Sequence, residues 1–136
     1  MPEYGWYRPC LVQNEIAETG KFNVEGVEIN SFLQLHGKFK TLGFRIGNFA
    51  YSTDLNGLPE ESLESLKGLE VWVVDALRYE KHPTHAHLDI TLGWIRKLKL
   101  KMAILTHMGH EFEYEKLKSE LPEGVIPAFD GLTTNI

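Results

Sequence analysis

Several things are scarce in this sequence, and each shortage excludes a class of protein. There is one cysteine, Cys10, among 136 residues. No intramolecular disulfide can therefore form, and a reducing compartment, the cytoplasm, is the expected location. Cys10 itself is expected to be a small buried apolar residue. The stretch Met1–Cys10 carries Glu3 and two prolines but no apolar run, so no signal peptide is expected. The longest apolar stretch, near Val71–Leu77, is too short to cross a bilayer.

Positive charge is also in short supply. The chain has 14 Lys and Arg against 19 Asp and Glu, giving a formal charge of −5. This acidity argues against binding nucleic acid through its phosphate backbone. A content of 43% hydrophobic and 24% charged residues is ordinary for a globular protein. The length suits one domain that buries roughly two-thirds of its unfolded surface.

Alternating apolar residues predict β-structure in the first part of the chain. The alternation runs through Phe22 and Val24, breaks near Gly26, and resumes from Val27 to Leu35. A second hairpin is expected around Gly47-Asn48, where a two-residue turn is flanked by apolar residues. These strand pairs are expected to be antiparallel.

Helices and strands are predicted to alternate from Pro59 onward. Pro59 with the carboxylates after it suits a helix start, and Gly68 suits its end. The remaining predicted elements are a strand over 70–77, a helix over 87–99, a strand at Met102–Thr106, a helix around 114–121 and a strand at Val125–Phe129. A β-hairpin region followed by β-α-β-α-β predicts a mixed α/β (α+β) fold with one mixed sheet and helices on one face.

Histidine and aspartate residues follow the ends of the predicted strands. They are His36, Asp54, His82, His85, His87, His107 and His110. Imidazole and carboxylate groups are the ligands that Zn²⁺, Mn²⁺ and Fe sites use. The structural alternatives are a surface or capping histidine, a turn or N-cap aspartate, and a solvated polar loop at 82–87. The pair His107 and His110, placed directly after a buried strand, departs most from these alternatives.

Six segments in one order carry a resemblance to a known family. They are Leu35-His36-Gly37, Leu42–Gly47, Tyr51–Asp54, Val74–Leu77, His82-Pro83-Thr84-His85 and Leu105–His110. Together they resemble the C-terminal half of metallo-β-lactamase-fold hydrolases, closest to the phosphoribosyl 1,2-cyclic phosphodiesterases of phosphonate metabolism. The resemblance runs from about Phe22 to Ile136. It implies one half of an αββα sandwich and a hydrolase acting on a small cyclic phosphodiester.

The resemblance also implies a role for each matching residue. His36 corresponds to a ligand of the first metal, Asp54 to the residue that bridges both metals, and His107 to a ligand of the second. His85 corresponds to the general acid, and His110 would face the substrate or support the ligands. Two divalent ions, Zn or Mn and possibly Fe in the family, clamp a phosphodiester oxygen and lower the pKa of a bridging water toward ~7 to give hydroxide. A histidine with a pKa near ~6.5 protonates the leaving alkoxide.

The family's leading motif, His-x-His-x-Asp-His, does not occur in this sequence. With only His36, Asp54 and His107, neither metal has the three protein ligands that a catalytic zinc site normally has. Residues 1–136 are therefore interpreted as a single partial domain that binds metal weakly and has little activity alone. It would be a truncated product or one piece of a split protein.

The alternative function is an inactive half-domain that acts as an oligomeric or interaction protein. The expected partners are the missing N-terminal half or a second copy. In a two-fold homodimer, the apolar sheet faces carrying Phe44, Ile46, Phe49 and Tyr51 would stack. The other expected partner is the small phosphodiester substrate, and neither nucleic acid nor a membrane is expected.

Overall fold

A computed structural model describes residues 10–136, and in it one mixed sheet carries all the helices of that region. The strands are β1 (Gly20–Val24), β2 (Val27–His36), β3 (Phe39–Ile46), β4 (Phe49–Ser52), β5 (Val71–Asp75), β6 (Met102–Thr106) and β7 (Val125–Pro127). The helices are α1 (Glu60–Ser65), α2 (Leu88–Leu98) and α3 (Tyr114–Glu120). The strands lie side by side in chain order. β1 to β4 pair antiparallel and β4 to β7 pair parallel, which confirms the predicted mixed sheet.

Tight turns in the left-handed backbone region form the β1–β2 and β3–β4 hairpins. Between β1 and β2, Glu25 and Gly26 have φ values of 49° and 88°, and the Asn23 side chain accepts a hydrogen bond from the Gly26 amide at 2.8 Å. Between β3 and β4, Gly47 has a φ of 55°. Such turns match the twist of the strands that they join, so both hairpins form where the sequence predicts them.

The parallel half is built from strand–helix–strand units. Pro59 precedes α1 with a φ of −56°, and Glu60 and Glu61 lie in the first turn near the positive end of the helix dipole. Lys99 ends α2 in a left-handed conformation. Because β4, β5, β6 and β7 run in the same direction, the loops after them emerge at one edge of the sheet.

The hydrophobic core lies between one face of the sheet and the helices. Trp72 of β5 is fully buried and packs against Trp94 of α2, with ring centroids 6.4 Å apart. Leu105 of β6 and Leu117 of α3 are also fully buried in this cluster. Each such side chain contributes roughly 1.5–3 kcal/mol of transfer free energy. This single layer of helices on one face confirms the predicted arrangement.

The opposite side of the sheet, called the open face here, carries apolar side chains that remain in solvent. The strand register places five large ones on it: Val24, Val27, Leu35, Ile46 and Tyr51. Their exposures range from 39% to 50%. Large exposed apolar patches are uncommon on monomers and mark interaction surfaces.

Three details differ from the sequence-based expectations. Cys10 is exposed rather than buried, because residues 10–19 form no regular element that covers it. The strand predicted over 70–77 is shorter, and the one expected to reach Phe129 ends at Pro127.

In the described part of the chain, no helix has the length and apolar character needed to cross a membrane.

Candidate metal centre

Four of the predicted site residues meet at one edge of the sheet. His36 is the last residue of β2, Asp54 follows β4 and His107 follows β6. His85 lies in the loop after β5. Two antiparallel pairings separate β2 from β4, so β2 runs in the same direction as β4, β5 and β6. The ends of these strands therefore share one edge, where their loops converge.

The side chains of these residues lie close enough to share a cation. His36, Asp54 and His85 each offer one ligand atom, and the three atoms lie within 4.8 Å of one another. His107 completes the cluster, with its Nε2 atom 4.0 Å from Asp54 Oδ1. Its ring stacks on the His85 ring with centroids 4.8 Å apart. Two imidazole nitrogens and a carboxylate oxygen, with a position left for water, form a donor set that fits Zn²⁺ and also Mn²⁺ or Fe²⁺.

Hydrogen bonds orient two of the imidazole rings toward the cluster. His36 Nδ1 lies 2.7 Å from the Thr84 carbonyl oxygen, which can only accept, so Nδ1 carries the hydrogen and the Nε2 lone pair is free. His85 Nδ1 lies 3.1 Å from Asp75 Oδ2, and a carboxylate oxygen that accepts from Nδ1 favours the same tautomer. Metal-binding histidines in proteins are held in this way by a carbonyl or a carboxylate.

Asp75 is the site residue that the sequence analysis did not assign. It is the last residue of β5, and its side chain is fully buried. Its Oδ2 atom also accepts a hydrogen bond from the Leu55 amide at 3.4 Å. Burial raises the pKa of the Asp75 carboxyl above its usual value, while the hydrogen bond from His85 and the charges of His107 and His85 act in the opposite direction. Oδ1 is buried without a hydrogen-bond partner among the described residues. The sequence signal was an aspartate at the end of an apolar strand, followed by a histidine-rich loop.

Two cluster residues adopt backbone conformations that are costly for residues other than glycine. Asp54 and His107 have φ values of 57° and 58°. The other non-glycine residues of this kind in the described chain are Glu25 in a hairpin turn and Lys99 at a helix end, where the conformation is ordinary. Thr41 Oγ1 donates to the Asp54 carbonyl at 2.8 Å and helps to hold its loop. Such conformations cost about 1–3 kcal/mol each and cluster at functional sites.

Hydrogen bonds through one asparagine connect the end of β2 to the histidine-rich loop. The Asn56 side chain accepts from the Gly37 amide at 2.9 Å and donates to the Pro83 carbonyl at 2.8 Å. A Cβ atom on Gly37 would lie 2.8 Å from Thr84 Cγ2, so a glycine permits this close approach. The contact keeps His36 beside Thr84.

The remaining histidines of the loops lie outside the cluster. His82 Nδ1 accepts hydrogen bonds from the amides of Thr84 and His85 at 3.3 and 3.2 Å, which shapes the loop. Partial burial, together with the Arg78 charge, lowers the pKa of His82. The exposed His110 lines a cavity of about 140 Å³ beside Arg78 and His82, so its predicted role facing a substrate stays a prediction. His87 is the residue that precedes α2.

Sheet order, the single helical layer and the histidine–aspartate cluster together define a protein of the metallo-β-lactamase fold. Residues 6–108 match the sequence model of the Beta-lactamase superfamily domain. The chain therefore belongs to this superfamily, a family of hydrolases.

Solved structures show the same fold. A diphosphatase from the PhnP family aligns with a TM-score of 0.85 and 34% identity, over 88% of this chain and 47% of that one. Zn²⁺-bound PqqB from Methylobacterium extorquens aligns with a TM-score of 0.66 and 19% identity, over 89% of this chain and 55% of that one. Human tRNase Z, short form, aligns with a TM-score of 0.61 and 16% identity, over 82% and 44%. The chain spans about half the length of these proteins.

One curated relative is named as an enzyme of another class. This octanoyltransferase from Porphyromonas gingivalis (strain ATCC BAA-308 / W83) is 28% identical over 126 residues, which are 91% of this chain but 26% of that protein. Because the match covers about a quarter of that protein, its name says little about the activity of the matching segment.

Proposed function

We propose that this domain is a metal-dependent hydrolase that acts on a small cyclic or activated phosphodiester. The observation that carries the proposal is the convergence of His36, Asp54, His85 and His107 at one sheet edge, with Asp75 buried behind His85. The 34% identity to a diphosphatase of the PhnP family supports hydrolysis at a phosphoryl group.

The proposed roles follow from these positions. His36, Asp54 and His107 would hold divalent cations, with Asp54 between the two histidines. Bound there, such ions polarise a phosphoryl oxygen and make water more acidic. His85 would protonate the leaving oxygen from Nε2, and Asp75 would stabilise the ring by holding Nδ1 in place. The exposed fractions of Asp54 and His107, 46% and 39%, leave room for a substrate to approach.

The test is hydrolysis of bis(p-nitrophenyl) phosphate and of a 2′,3′-cyclic nucleotide with added Mn²⁺ or Zn²⁺. We expect weak turnover that chelator abolishes, because this chain supplies only part of the family's ligands. Asp54→Ala and His85→Ala should remove it, whereas Asp130→Asn, which changes an exposed carboxylate, should not. Hydrolysis that survives chelator or Asp54→Ala would contradict the proposal.

The open face favours a second candidate function, an interaction protein without activity. Its five apolar side chains are exposed in the described chain, as expected of a surface that another polypeptide covers. Bound metal without any turnover, together with self-association, would favour this alternative.

A further inference from the structure

The turn between β2 and β3 displays an exposed aromatic ring beside the candidate metal centre. Phe39 is 73% exposed, the largest exposed fraction of any large apolar side chain in the strands of the described chain. It pairs directly with His36 in the antiparallel register, so both side chains lie on the same face of the sheet with Cβ atoms about 4.5–5.5 Å apart. Thr41 follows on that face and donates its hydroxyl to the Asp54 carbonyl. Phe39 therefore borders the cluster on the side of β2 and β3.

The open face does not account for this exposure. The strand register puts Phe39 on the side of the sheet that carries the helices, together with Gly43 and the buried Phe32. Two exposed lysines, Lys38 and Lys40, flank Phe39 along the chain, and lysine is depleted in the cores of protein–protein interfaces. A small ligand that leaves the lysine side chains in water fits this position better than a polypeptide does.

Contacts on the inner side of the turn hold the strand end that carries Phe39. Gly37 has a φ of 62°, and its amide donates to the Asn56 side chain at 2.9 Å. Asn56 in turn donates to the Pro83 carbonyl, and a Cβ atom on Gly37 would lie 2.8 Å from Thr84 Cγ2. An aromatic ring that a fixed turn presents loses little conformational freedom when a flat ligand stacks on it.

We propose that Phe39 is the platform on which the aromatic base of the substrate stacks, so that the substrate class is a phosphodiester that carries a nucleobase. In a nucleotide a single ribose joins the base to the phosphate, so a base bound on Phe39 leaves the phosphate within reach of the cluster beside it. Stacking on an aromatic side chain strengthens the binding of a base by roughly 5- to 150-fold and requires no hydrogen bond to it. The inference rests on the proposed function and adds the part of the substrate that lies away from the reacting bond.

The experiment compares two substrates that share the reacting group. Adenosine 2′,3′-cyclic phosphate and glycerol 1,2-cyclic phosphate both contain a five-membered cyclic phosphodiester, and only the first has a base. Phe39→Ala should lower kcat/KM for the adenosine compound by about 5-fold or more and change that for the glycerol compound by less than about 2-fold. Phe39→Tyr keeps an aromatic ring and should keep both values.

The matched control is Phe129→Ala, which removes another exposed aromatic ring that lies after β7, four strands away from β3. It should leave both values of kcat/KM unchanged. Equal losses on the two substrates with Phe39→Ala, or no loss on the adenosine compound, would overturn the inference while the hydrolysis itself supports the proposed function.

A second measurement does not depend on turnover. In proton spectra of the unsubstituted chain, adenosine 3′-monophosphate should shift the ring signals of Phe39, which are assigned by their loss in Phe39→Ala, whereas glycerol phosphate should not. Phe39 signals that do not respond to the adenosine compound would overturn the inference. A clear response without hydrolysis of either cyclic compound would support the platform and contradict the proposed function.

Discussion

Replacing Asp75 by asparagine tests whether the buried carboxylate orients His85 in the candidate metal centre. In the structure, Asp75 Oδ2 accepts from His85 Nδ1 at 3.1 Å and from the Leu55 amide at 3.4 Å. Asparagine has nearly the same shape and keeps one acceptor oxygen, but it removes the charge. A hydrogen bond to a charged group is worth about 1.5–3 kcal/mol, against about 0.5–1.5 kcal/mol for a neutral one.

The difference of about 1–1.5 kcal/mol corresponds to roughly a tenfold change in an equilibrium constant. Substitutions of the carboxylates that support metal-binding histidines commonly reduce metal affinity by about 10–100-fold. We therefore expect Asp75→Asn to weaken Zn²⁺ binding by about 10-fold or more, because the His85 ring, whose ligand atom lies within 4.8 Å of those of His36 and Asp54, is held less firmly at Nδ1. Asp75→Ala should weaken binding further, since it leaves His85 Nδ1 without its acceptor.

The assay is competition for Zn²⁺ against a chromophoric chelator, with thermal unfolding measured in parallel to confirm that each variant is folded. Asp130→Asn is the matched control, because it removes a carboxylate charge from an exposed position and should leave the affinity unchanged. A folded Asp75→Asn protein that binds Zn²⁺ as tightly as the unsubstituted chain would refute the reasoning that Asp75 acts through His85.

Further predictions concern the fold. Gly43→Ala should lower the free energy of unfolding by about 1–3 kcal/mol in urea denaturation, because its Cβ atom would lie 2.3 Å from the buried Phe32 ring. A Cβ atom at Gly93 in α2 would have no neighbouring atom within 4 Å. Gly93→Ala should therefore raise the free energy of unfolding by about 0.5–1 kcal/mol, and a destabilised variant would contradict the packing described for α2. Light scattering after size exclusion should show a dimer that stacks two open faces, and Ile46→Lys or Tyr51→Lys should dissociate it. A monomer at micromolar concentration would contradict this prediction.

Local patterns made much of the fold predictable. The β1–β2 and β3–β4 hairpins followed from two-residue turns and alternating apolar residues, whereas the β2–β3 hairpin was not predicted. Strand β6 followed from an apolar run between a lysine-rich helix end and a histidine. Ends of β5 and β7 were less predictable, because side-chain patterns do not show where pairing with a neighbouring strand stops. The position of Cys10 depended on whether residues 10–19 pack against the sheet, which composition does not reveal.

The geometry of the candidate metal centre was predictable in part for a similar reason. His36, Asp54 and His107 follow strands that run in the same direction, so strand order alone brings them to one edge. The pairing of Asp75 with His85 depends on a loop that returns across the end of β5. The ligand-like position of His85 depends on the same loop. No periodic pattern in the sequence indicates the Asp75–His85 hydrogen bond or the position of His85 in the cluster.

Crystals of the chain grown with Zn²⁺, with anomalous diffraction recorded at the zinc edge, would test the central claim most directly. The account predicts a peak beside Asp54, about 2.0–2.2 Å from its carboxylate oxygen and from imidazole nitrogens of the cluster histidines His36, His85 or His107. No peak at this edge of the sheet, with zinc bound only at other surface positions, would contradict the assignment of a metal centre to this domain.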